Sequence, residues 1–309
     1  MYASFFKLNK NPFEISPDPH FFVSTEAHNE ALAGLYYGIL AHKGFMVLTG
    51  EVGTGKTLVV RCLLDLLEQK QLNYAYIFCT RLTSAEFLGC VAADLGINGG
   101  GASKADLLKK LQQFLLSRGR QGLYTALIVD EAQHLSPEVL EDIRLLTNLE
   151  TARGKLLQIA LIGQPELDAT LESHELRQLK QRIALRFQLA PLSEAQTRGY
   201  VWDRLHLAGA HEPIFSLAAI QRVFIYSKGL PRLINTICDN AMISAFARGL
   251  TDVTETMIDE AARDLRLIKG GKPHDVPSTS ETCGFGYGEG GTGRGAFNDG
   301  GRNKVSSQA

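Results

Sequence analysis

Five short, almost unbroken apolar runs recur along the first two thirds of the chain, separated by stretches with helical periodicity. The runs are Phe45–Thr49, Tyr74–Cys79, Ala126–Asp130, Leu157–Ile162 and Ala184–Leu189. Continuous apolar runs of this length are typical of strands that are buried on both faces of a parallel sheet. Their alternation with helices predicts an α/β fold in which helices cover both faces of the sheet.

Three serines mark predicted helix starts. Ser136 stands before Pro137, so a capping side chain is followed by proline at the first helical position. Ser103 and Ser193 are each followed three residues later by Asp106 and Gln196, which is the spacing of a capping box. We therefore expect helices to begin directly after these serines.

The composition divides the chain into four regions. Residues 1–25 combine Pro12, Pro17 and Pro19 with several phenylalanines and are predicted to be extended, covering either a bound adenine or the sheet edge. Residues 26–190 form the predicted α/β domain. Residues 191–268 are predicted to be all-helical, with helices near 216–227, 231–248 and 254–267. Residues 269–309 are rich in glycine and are predicted to be a disordered tail.

A phosphate-binding loop follows the first apolar run. The segment reads Gly50-Glu51-Val52-Gly53-Thr54-Gly55-Lys56-Thr57, which fits G-x-x-x-x-G-K-[ST] and leads into a helical run. Glycines let successive backbone N–H groups point at phosphates, assisted by the helix N-terminus. Lys56 is predicted to contact the β- and γ-phosphates, and the Thr57 hydroxyl is predicted to bind Mg²⁺. The sequence thus predicts ATP and Mg²⁺ as ligands.

Two carboxylates end the third apolar run. In phosphoryl transfer a first acid holds Mg²⁺, and a second can deprotonate the attacking water. We assign the first role to Asp130 and the second to Glu131, which favours hydrolysis over kinase chemistry and over a nucleotide-binding scaffold without turnover. Ala132-Gln133 extends the pair to a string also found in helicases, but no second helicase core follows.

Three further polar residues are candidates for contacts with the γ-phosphate. Gln164 follows the fourth run, where it either contacts phosphate or water or belongs to a plain turn. Arg182 and Arg186 flank the start of the fifth run, as an arginine finger for a neighbouring subunit or as solvated surface residues. Arg232 follows Gly229-Leu230-Pro231 in the first turn of a helix, where a cation is unfavourable for the helix dipole.

Together these motifs resemble the AAA+ ATPases over residues 26–267, and more narrowly the ExeA/GspA-type ATPases of secretion and polysaccharide export. The narrower resemblance rests on Asn11-Pro12-Phe13, Asp130-Glu131-Ala132-Gln133, Gly163-Gln164-Pro165 and Gly229-Leu230-Pro231-Arg232. It implies a five-stranded parallel sheet followed by a helical lid, with Gln164 as sensor 1, Arg232 as sensor 2 and Arg182 as a finger acting in a homo-oligomer. Whether Arg182 or Arg186 is the finger stays open.

The resemblance leaves the cellular role open between two classes. Secretion members continue into a membrane helix and a wall-binding region, where this chain has a glycine-rich stretch. The resemblance therefore carries over to the ATPase and not to wall binding or secretin assembly. Transposition regulators of the MuB/TniB kind share the core and bind DNA. Residues 172–248 hold ten Lys/Arg against six Asp/Glu, an excess too mild to favour DNA as a partner.

Bulk composition adds little to this interpretation. The formal charge is −1, with 45% apolar and 21% charged residues, as in ordinary globular proteins. The five cysteines have no metal or redox spacing and indicate free thiols in a reducing compartment. Neither a leader sequence nor an apolar run of the ~18–20 residues that a membrane helix needs is evident. We therefore expect a cytoplasmic protein, and a peripheral location at the inner membrane, through a partner, stays open.

Overall fold

The computed structural model describes residues 2–14, 23–78, 81–151 and 154–268. Five strands form the main sheet: β1 (Phe45–Gly50), β2 (Asn73–Phe78), β3 (Thr125–Asp130), β6 (Leu157–Gly163) and β7 (Ile183–Leu189). Two short antiparallel strands of two residues each, β4 (Glu150–Thr151) and β5 (Gly154–Lys155), precede β6 and were not predicted. The predicted tail, residues 269–309, lies outside the described residues, as do Phe21, Phe22 and Cys79.

Helices connect the strands and then continue alone. The helices of the first part are α1 (Tyr2–Phe5), α2 (Glu26–Leu40), α3 (Lys56–Gln69), α4 (Ser84–Asp94), α5 (Lys104–Arg120), α6 (Pro137–Leu146), α7 (Pro165–Leu171) and α8 (Arg177–Lys180). Those of the second part are α9 (Glu194–Leu207), α10 (Leu217–Ser227), α11 (Pro231–Ala247) and α12 (Glu255–Asp264). Within the described residues, no helix combines the length and the apolar character needed to cross a bilayer.

The predicted helix starts are present in the structure. Ser103 and Ser193 form reciprocal capping boxes with Asp106 and Gln196, and the Ser136 side chain accepts a hydrogen bond from the backbone of α6. Each cap satisfies backbone N–H groups that the first helical turn leaves without a partner. These local signals explain why the helix positions were predictable without knowledge of the tertiary structure.

All five main strands are parallel, in the order β2-β3-β6-β1-β7. Every residue of β1, β3 and β6 is buried, which confirms the sequence pattern for these three inner strands. The pattern is wrong for the edges, because β7 alternates between half-buried and exposed residues up to its buried last residue, Leu189, and β2 is only partly buried. An edge strand has a neighbour on one side only, so fewer elements cover its faces.

Alternate strand residues pack into two cores on opposite faces of the sheet. Val47, Val129 and Leu161 join the core beneath α4 to α8. Leu48, Ile128 and Ile162 face α2 and α3. Burying a side chain of this size contributes about 1.5–3 kcal/mol, so the inner strands are firmly fixed, and the loops at their carboxyl ends start from a rigid base.

The strand order determines which loops meet. β3, β6 and β1 are neighbours, so their carboxyl ends lie side by side at one edge of the sheet. The residues at or directly after these ends are Asp130 with Glu131, Gln164, and Gly50 at the start of the phosphate loop. Ligands of open α/β sheets bind outside the carboxyl ends of the strands. The topology therefore places three of the predicted motifs together.

The prediction for the N-terminal segment is wrong in two respects over residues 2–14, the part of the segment that the structure describes up to residue 22. Its first residues form α1, which ends well before the first proline. Tyr2, Phe6, Leu8 and Phe13 are buried in the core of the helical region rather than over the sheet edge or in the nucleotide cavity. The Phe13 ring meets Phe215 edge-on at 5.8 Å between centroids. Aromatic surface is stabilised wherever it can be buried, and α9 to α12 provide that core.

Candidate active site

The phosphate loop connects β1 to α3 through two glycines with left-handed backbone. Gly53 has φ 84° and Gly55 has φ 101°, which are backbone angles that residues other than glycine rarely adopt. Gly55 is followed directly by Lys56, the first residue of α3. The loop therefore ends on a helix N-terminus, where unpaired N–H groups and the helix dipole favour an anion.

Lys56 is buried beneath this loop. Its Nζ donates hydrogen bonds to the carbonyl oxygens of Gly50 at 2.6 Å and Glu51 at 2.9 Å. Burial lowers the pKa of Lys56, and the nearby carboxylates of Glu131 and Asp130 oppose that shift. The ammonium group is thus held by two neutral carbonyl acceptors of its own loop. A phosphate oxygen can take their place as a charged and therefore stronger acceptor.

A buried histidine forms a hydrogen bond with the backbone of the phosphate loop. His28, in the first turn of α2, is 4% exposed, and its Nε2 lies 2.8 Å from the Thr54 carbonyl oxygen. Its Nδ1 lies 2.6 Å from the Thr25 hydroxyl. A carbonyl only accepts, so Nε2 carries the proton, and in the neutral ring Nδ1 accepts from Thr25. His28 was not predicted as a site residue, because a lone histidine at a helix start carries no signal for a partner 26 residues away.

Asp130 is fully buried at the end of β3. One carboxylate oxygen accepts from the backbone N–H of Glu131 at 2.9 Å and the other from the Tyr76 hydroxyl at 3.3 Å. Burial raises the pKa of Asp130, and the charge of Glu131 adds to the shift. A buried carboxylate beside a second one favours a cation next to it.

Glu131 stands beside Asp130 with a left-handed backbone, φ 54°. Its Oε2 accepts hydrogen bonds from Gln133 Nε2 at 2.5 Å and from Gln164 Nε2 at 3.3 Å. The Gln133 Oε1 in turn accepts from the backbone N–H of Gln164 at 3.1 Å. Glu131 and Gln164 were predicted site residues, whereas Gln133 had been noted only as part of the acidic string.

The helical region reaches the phosphate loop through the start of α11. The backbone N–H of Arg232 donates to the Gly53 carbonyl oxygen at 3.2 Å, so the loop satisfies an N–H of the first helical turn. A Cβ atom on Gly53 would lie 2.8 Å from Arg232 Cβ. Gly53 is therefore needed for the close approach of the helix as well as for its own backbone angle.

These groups surround a cavity of about 500 Å³. Its lining includes the predicted site residues Val52, Gly53, Gly55, Lys56, Thr57, Glu131, Gln164 and Arg232, together with Glu14, Leu58, Tyr200, Arg204, Pro231 and Asn235. The last group was not predicted, because its members come from the N-terminal segment, α3 and the helical region and form no contiguous motif. The other predicted residues of the loop and the acid pair, Gly50, Glu51, Thr54 and Asp130, are not among the lining residues.

Tyr200, Arg204 and Asn235 form a buried polar wall of the cavity. The Tyr200 hydroxyl donates to Asn235 Oδ1 at 3.0 Å. Arg204 donates through Nε to the Pro12 carbonyl at 2.6 Å and through Nη2 to the Glu14 carbonyl at 3.1 Å. The N-terminal segment therefore reaches the cavity at Glu14 and is held there by backbone hydrogen bonds to Arg204.

Arg182 and Arg186 lie away from this cavity, at the edge strand. Arg186 Nη1 contacts Asp168 Oδ1 at 2.8 Å, and Asp168 Oδ2 accepts from the Thr49 hydroxyl at 2.6 Å. Arg186 is thus paired within its own chain. Arg182 is half-buried just before β7 and contributes, after the larger effect of Lys155, to lowering the pKa of exposed Glu150.

The residues proposed for Mg²⁺ offer suitable chemistry. Mg²⁺ prefers oxygen ligands and is commonly bound by one or two protein groups together with substrate phosphates and water. Thr57 contributes a hydroxyl at the cavity wall, and buried Asp130 contributes a carboxylate adjacent to a second one. The donor set thus fits the ion.

The sequence profile of a family described as an AAA domain matches residues 39–171. The chain is 46% identical to general secretion pathway protein A of Aeromonas hydrophila over 87% of its own length and 49% of that protein. It therefore spans about half the length of this relative. It is 28% identical to ATP-dependent target DNA activator B of Escherichia phage D108, over 81% of this chain and 75% of that protein.

Solved structures resemble the fold at low sequence identity. Cdc6p from Pyrobaculum aerophilum matches with a TM-score of 0.62 and 20% identity, over 82% of this chain and 70% of that chain. The Aeropyrum pernix ORC2 protein matches with a TM-score of 0.61 and 17% identity, over 83% and 72% of the two chains. At these identities the similarity shows a common fold alone.

Proposed function

Because this chain is a P-loop protein of the AAA+ fold and a homologue of general secretion pathway protein A, we propose that it binds ATP with Mg²⁺ and hydrolyses it. One observation carries the proposal. Lys56, Glu131, Gln164 and Arg232 come from four separate segments, and all four residues line a single cavity.

Binding of the nucleotide rests on the phosphate loop. The backbone N–H groups between Gly50 and Thr57 and the N-terminus of α3 hold the phosphates, and Lys56 exchanges its two carbonyl partners for phosphate oxygens. The cavity wall of Tyr200 and Asn235 then faces the nucleoside part. Arg232 approaches from α11, so ATP binding connects the helical region to the loop.

Hydrolysis places Glu131 beside the attacking water. Its carboxylate accepts a proton as the water oxygen attacks the γ-phosphorus, and the bond to the β–γ bridging oxygen breaks to release ADP and phosphate. Gln164 contacts the γ-phosphate or the water. Arg232 balances the negative charge that spreads over the phosphoryl oxygens, since a guanidinium is always charged and matches their planar arrangement.

Thr57 and Asp130 would hold the metal ion. An Mg²⁺ ion held by these two residues would neutralise phosphate charge and orient the phosphates. The buried Asp130 carboxylate is kept in place by the Glu131 backbone N–H and the Tyr76 hydroxyl, so its direction is set before the ion arrives.

The proposal includes a homo-oligomer in which Arg182 acts on the nucleotide of an adjacent subunit. Arg182 is half-buried at the sheet edge and does not line the cavity of its own chain, so an action on phosphate requires a neighbour. Arg186 is the weaker candidate for a finger, because its guanidinium is paired with Asp168.

The cellular role proposed is to drive or regulate assembly of a secretion or export system. The name of the relative that is 46% identical supports it, and the cytoplasmic side of the inner membrane is the proposed location, reached through a partner. Target-DNA activation is the second candidate, since two phage activators match over 81% of the chain. Submicromolar binding to duplex DNA at physiological salt would favour the second candidate.

The experiment that tests ATP binding and turnover uses Lys56→Ala. We expect the variant to remain folded and to bind ATP–Mg²⁺ at least about tenfold to a hundredfold more weakly, because a charge-assisted hydrogen bond to phosphate is lost. Lys70→Ala, at the exposed far end of the same helix, is the control. Calorimetric affinity for Lys56→Ala equal to that of the control would refute the site.

The same variant tests the finger in trans. Arg182→Ala subunits keep an intact phosphate loop, and Lys56→Ala subunits keep an intact finger, so each preparation lacks what the other supplies. Mixing two inactive preparations should restore phosphate release. No recovery at any ratio, with mixed oligomers shown to form, would reject the assignment of Arg182.

A further inference from the structure

Gln133 connects the two catalytic segments of the proposed ATPase through both ends of its side chain. Its Nε2 donates to Glu131 Oε2 at 2.5 Å, and its Oε1 accepts from the backbone N–H of Gln164 at 3.1 Å. The Gln164 side chain closes a ring by donating to the same Glu131 oxygen at 3.3 Å. We propose that Gln133 is a positioning residue that fixes the Glu131 carboxylate for attack on the γ-phosphate.

The position of Gln133 relative to the cavity supports this role. Glu131 and Gln164 both line the cavity, whereas Gln133 is not among its lining residues. Gln133 therefore holds the carboxylate from outside the space where nucleotide and water bind. Both amides donate to Oε2, and Oε1 has no hydrogen-bond partner in the part of the chain that the structure describes. One oxygen is anchored, which leaves the other available for water.

The backbone around the ring leaves little freedom for another arrangement. Glu131 has a left-handed backbone and precedes a single 3₁₀ turn, Ala132–His134, that carries Gln133. Opposite it, a Cβ atom on Gly163 would lie 3.0 Å from Gln133 Oε1 and 2.9 Å from Leu167 Cδ2. Glycine at the end of β6 thus permits the approach of the Gln133 amide.

The ring has a consequence for the reaction. A shift of Gln164 on contact with the γ-phosphate reaches Glu131 by two routes. The Gln164 side-chain amide contacts Glu131 directly, and the Gln164 backbone N–H contacts it through Gln133. The water-activating group and the phosphate-contacting group then move as one unit. Correct orientation of a reacting group strongly affects the rate, and a misplacement of about 1 Å can reduce it roughly a hundredfold.

The test is Gln133→Met, which keeps the length and shape of the side chain but removes its donor and acceptor. This inference rests on the proposed ATPase function. We expect kcat for ATP hydrolysis to fall about tenfold to a hundredfold, with KM and ATP affinity within about twofold of wild type. His134→Ala, an exposed position in the same turn, is the matched control and should keep wild-type kinetics.

A double-variant cycle separates this role from general structural support. If the ring acts as a unit, Gln133→Met combined with Gln164→Ala should lose no more kcat than the more damaging single variant. Independent, multiplying losses would overturn the coupling. If Gln133→Met does not fold, Gln133→Glu replaces it, since a carboxylate also cannot donate to Glu131.

The result of Glu131→Gln distinguishes failure of this inference from failure of the proposed function. If Glu131→Gln loses hydrolysis while Gln133→Met keeps a kcat within twofold of wild type or exceeds it, Gln133 has no positioning role. If Glu131→Gln itself turns over at the wild-type rate, the proposed catalytic mechanism is wrong.

Discussion

Individual residues of the candidate site differ in how visible they are in the sequence. Gly50–Thr57 and Asp130–Glu131 were predictable because each function needs several residue types in one contiguous segment. His28 and Gln133 were not, because their meaning depends on partners that only folding brings near. The Gln133 side chain contacts a backbone N–H 31 residues away, and His28 contacts a carbonyl 26 residues away. The residue types at the two positions do not indicate that such a long-range hydrogen bond forms.

His28 provides a prediction at this scale. Its pKa is lowered by burial, although the hydrogen bond to the Thr54 carbonyl opposes the shift. Protonation therefore favours the unfolded chain, whose histidine has a pKa of about 6.5. Stability from His28 is present above that pH and is lost as the pH falls through 6.5 toward the lower folded pKa. Denaturant unfolding between pH 7.5 and 5 should show this loss.

The variant His28→Gln isolates the contribution. It should flatten the pH dependence of the unfolding free energy relative to wild type, while His206→Gln, at an exposed position, should leave the dependence unchanged. Because burial also lowers the pKa of His42, part of the wild-type slope should remain. Equal slopes for wild type and His28→Gln would show that His28 is not held neutral by the fold.

At the scale of elements, those that carry a local sequence signal were correctly predicted. Each inner strand is marked by its own continuous apolar run and each capped helix start by residues within one turn, although the strands pair with partners far along the chain. The N-terminal segment was misassigned because its burial depends on residues such as Phe215 and Phe246, far along the chain. Proline content indicated the absence of a long helix but could not indicate which core would accept the aromatic rings.

The turn before α11 allows a test of how the helical region is held at the phosphate loop. Gly229 has φ 75°, and a Cβ atom there would lie 1.9 Å from the Leu192 carbonyl oxygen. Gly249, after α11, has φ 67°, but a Cβ atom there would meet no atom within 4 Å. An alanine at either position would therefore strain the left-handed backbone, whereas only an alanine at Gly229 would also clash with another part of the chain.

Gly249→Ala should cost about 1–2 kcal/mol of unfolding free energy from the left-handed backbone alone. Gly229→Ala should cost about 1–3 kcal/mol more, because the clash moves α11 or the chain at Leu192. ATP affinity should fall only for Gly229→Ala, since Arg232 moves with α11. Calorimetry that finds equal affinities, together with equal unfolding free energies, would contradict the role of this turn.

At the scale of the whole molecule, the site arises from topology more than from any one motif. Three neighbouring strands deliver the phosphate loop, the acid pair and Gln164 to one edge of the sheet, and α11 adds Arg232. The resemblance to AAA+ proteins allowed this assembly to be predicted from the sequence. The packing of the N-terminal segment on the helical region depends on contacts between residues about two hundred positions apart and could not be predicted. Since the chain spans 49% of the length of its secretion relative, the cellular role stays a proposal.

The most direct test of the account is single-turnover hydrolysis of ATP by Glu131→Gln. The amide cannot accept the proton of the attacking water, so we expect the rate to fall about a hundredfold to ten-thousandfold while ATP–Mg²⁺ affinity stays within a few-fold of wild type. Glu138→Gln, an exposed carboxylate in the following helix, should hydrolyse at the wild-type rate. Turnover by Glu131→Gln within a few-fold of wild type would contradict the assignment of this cavity as an ATP-hydrolysing site.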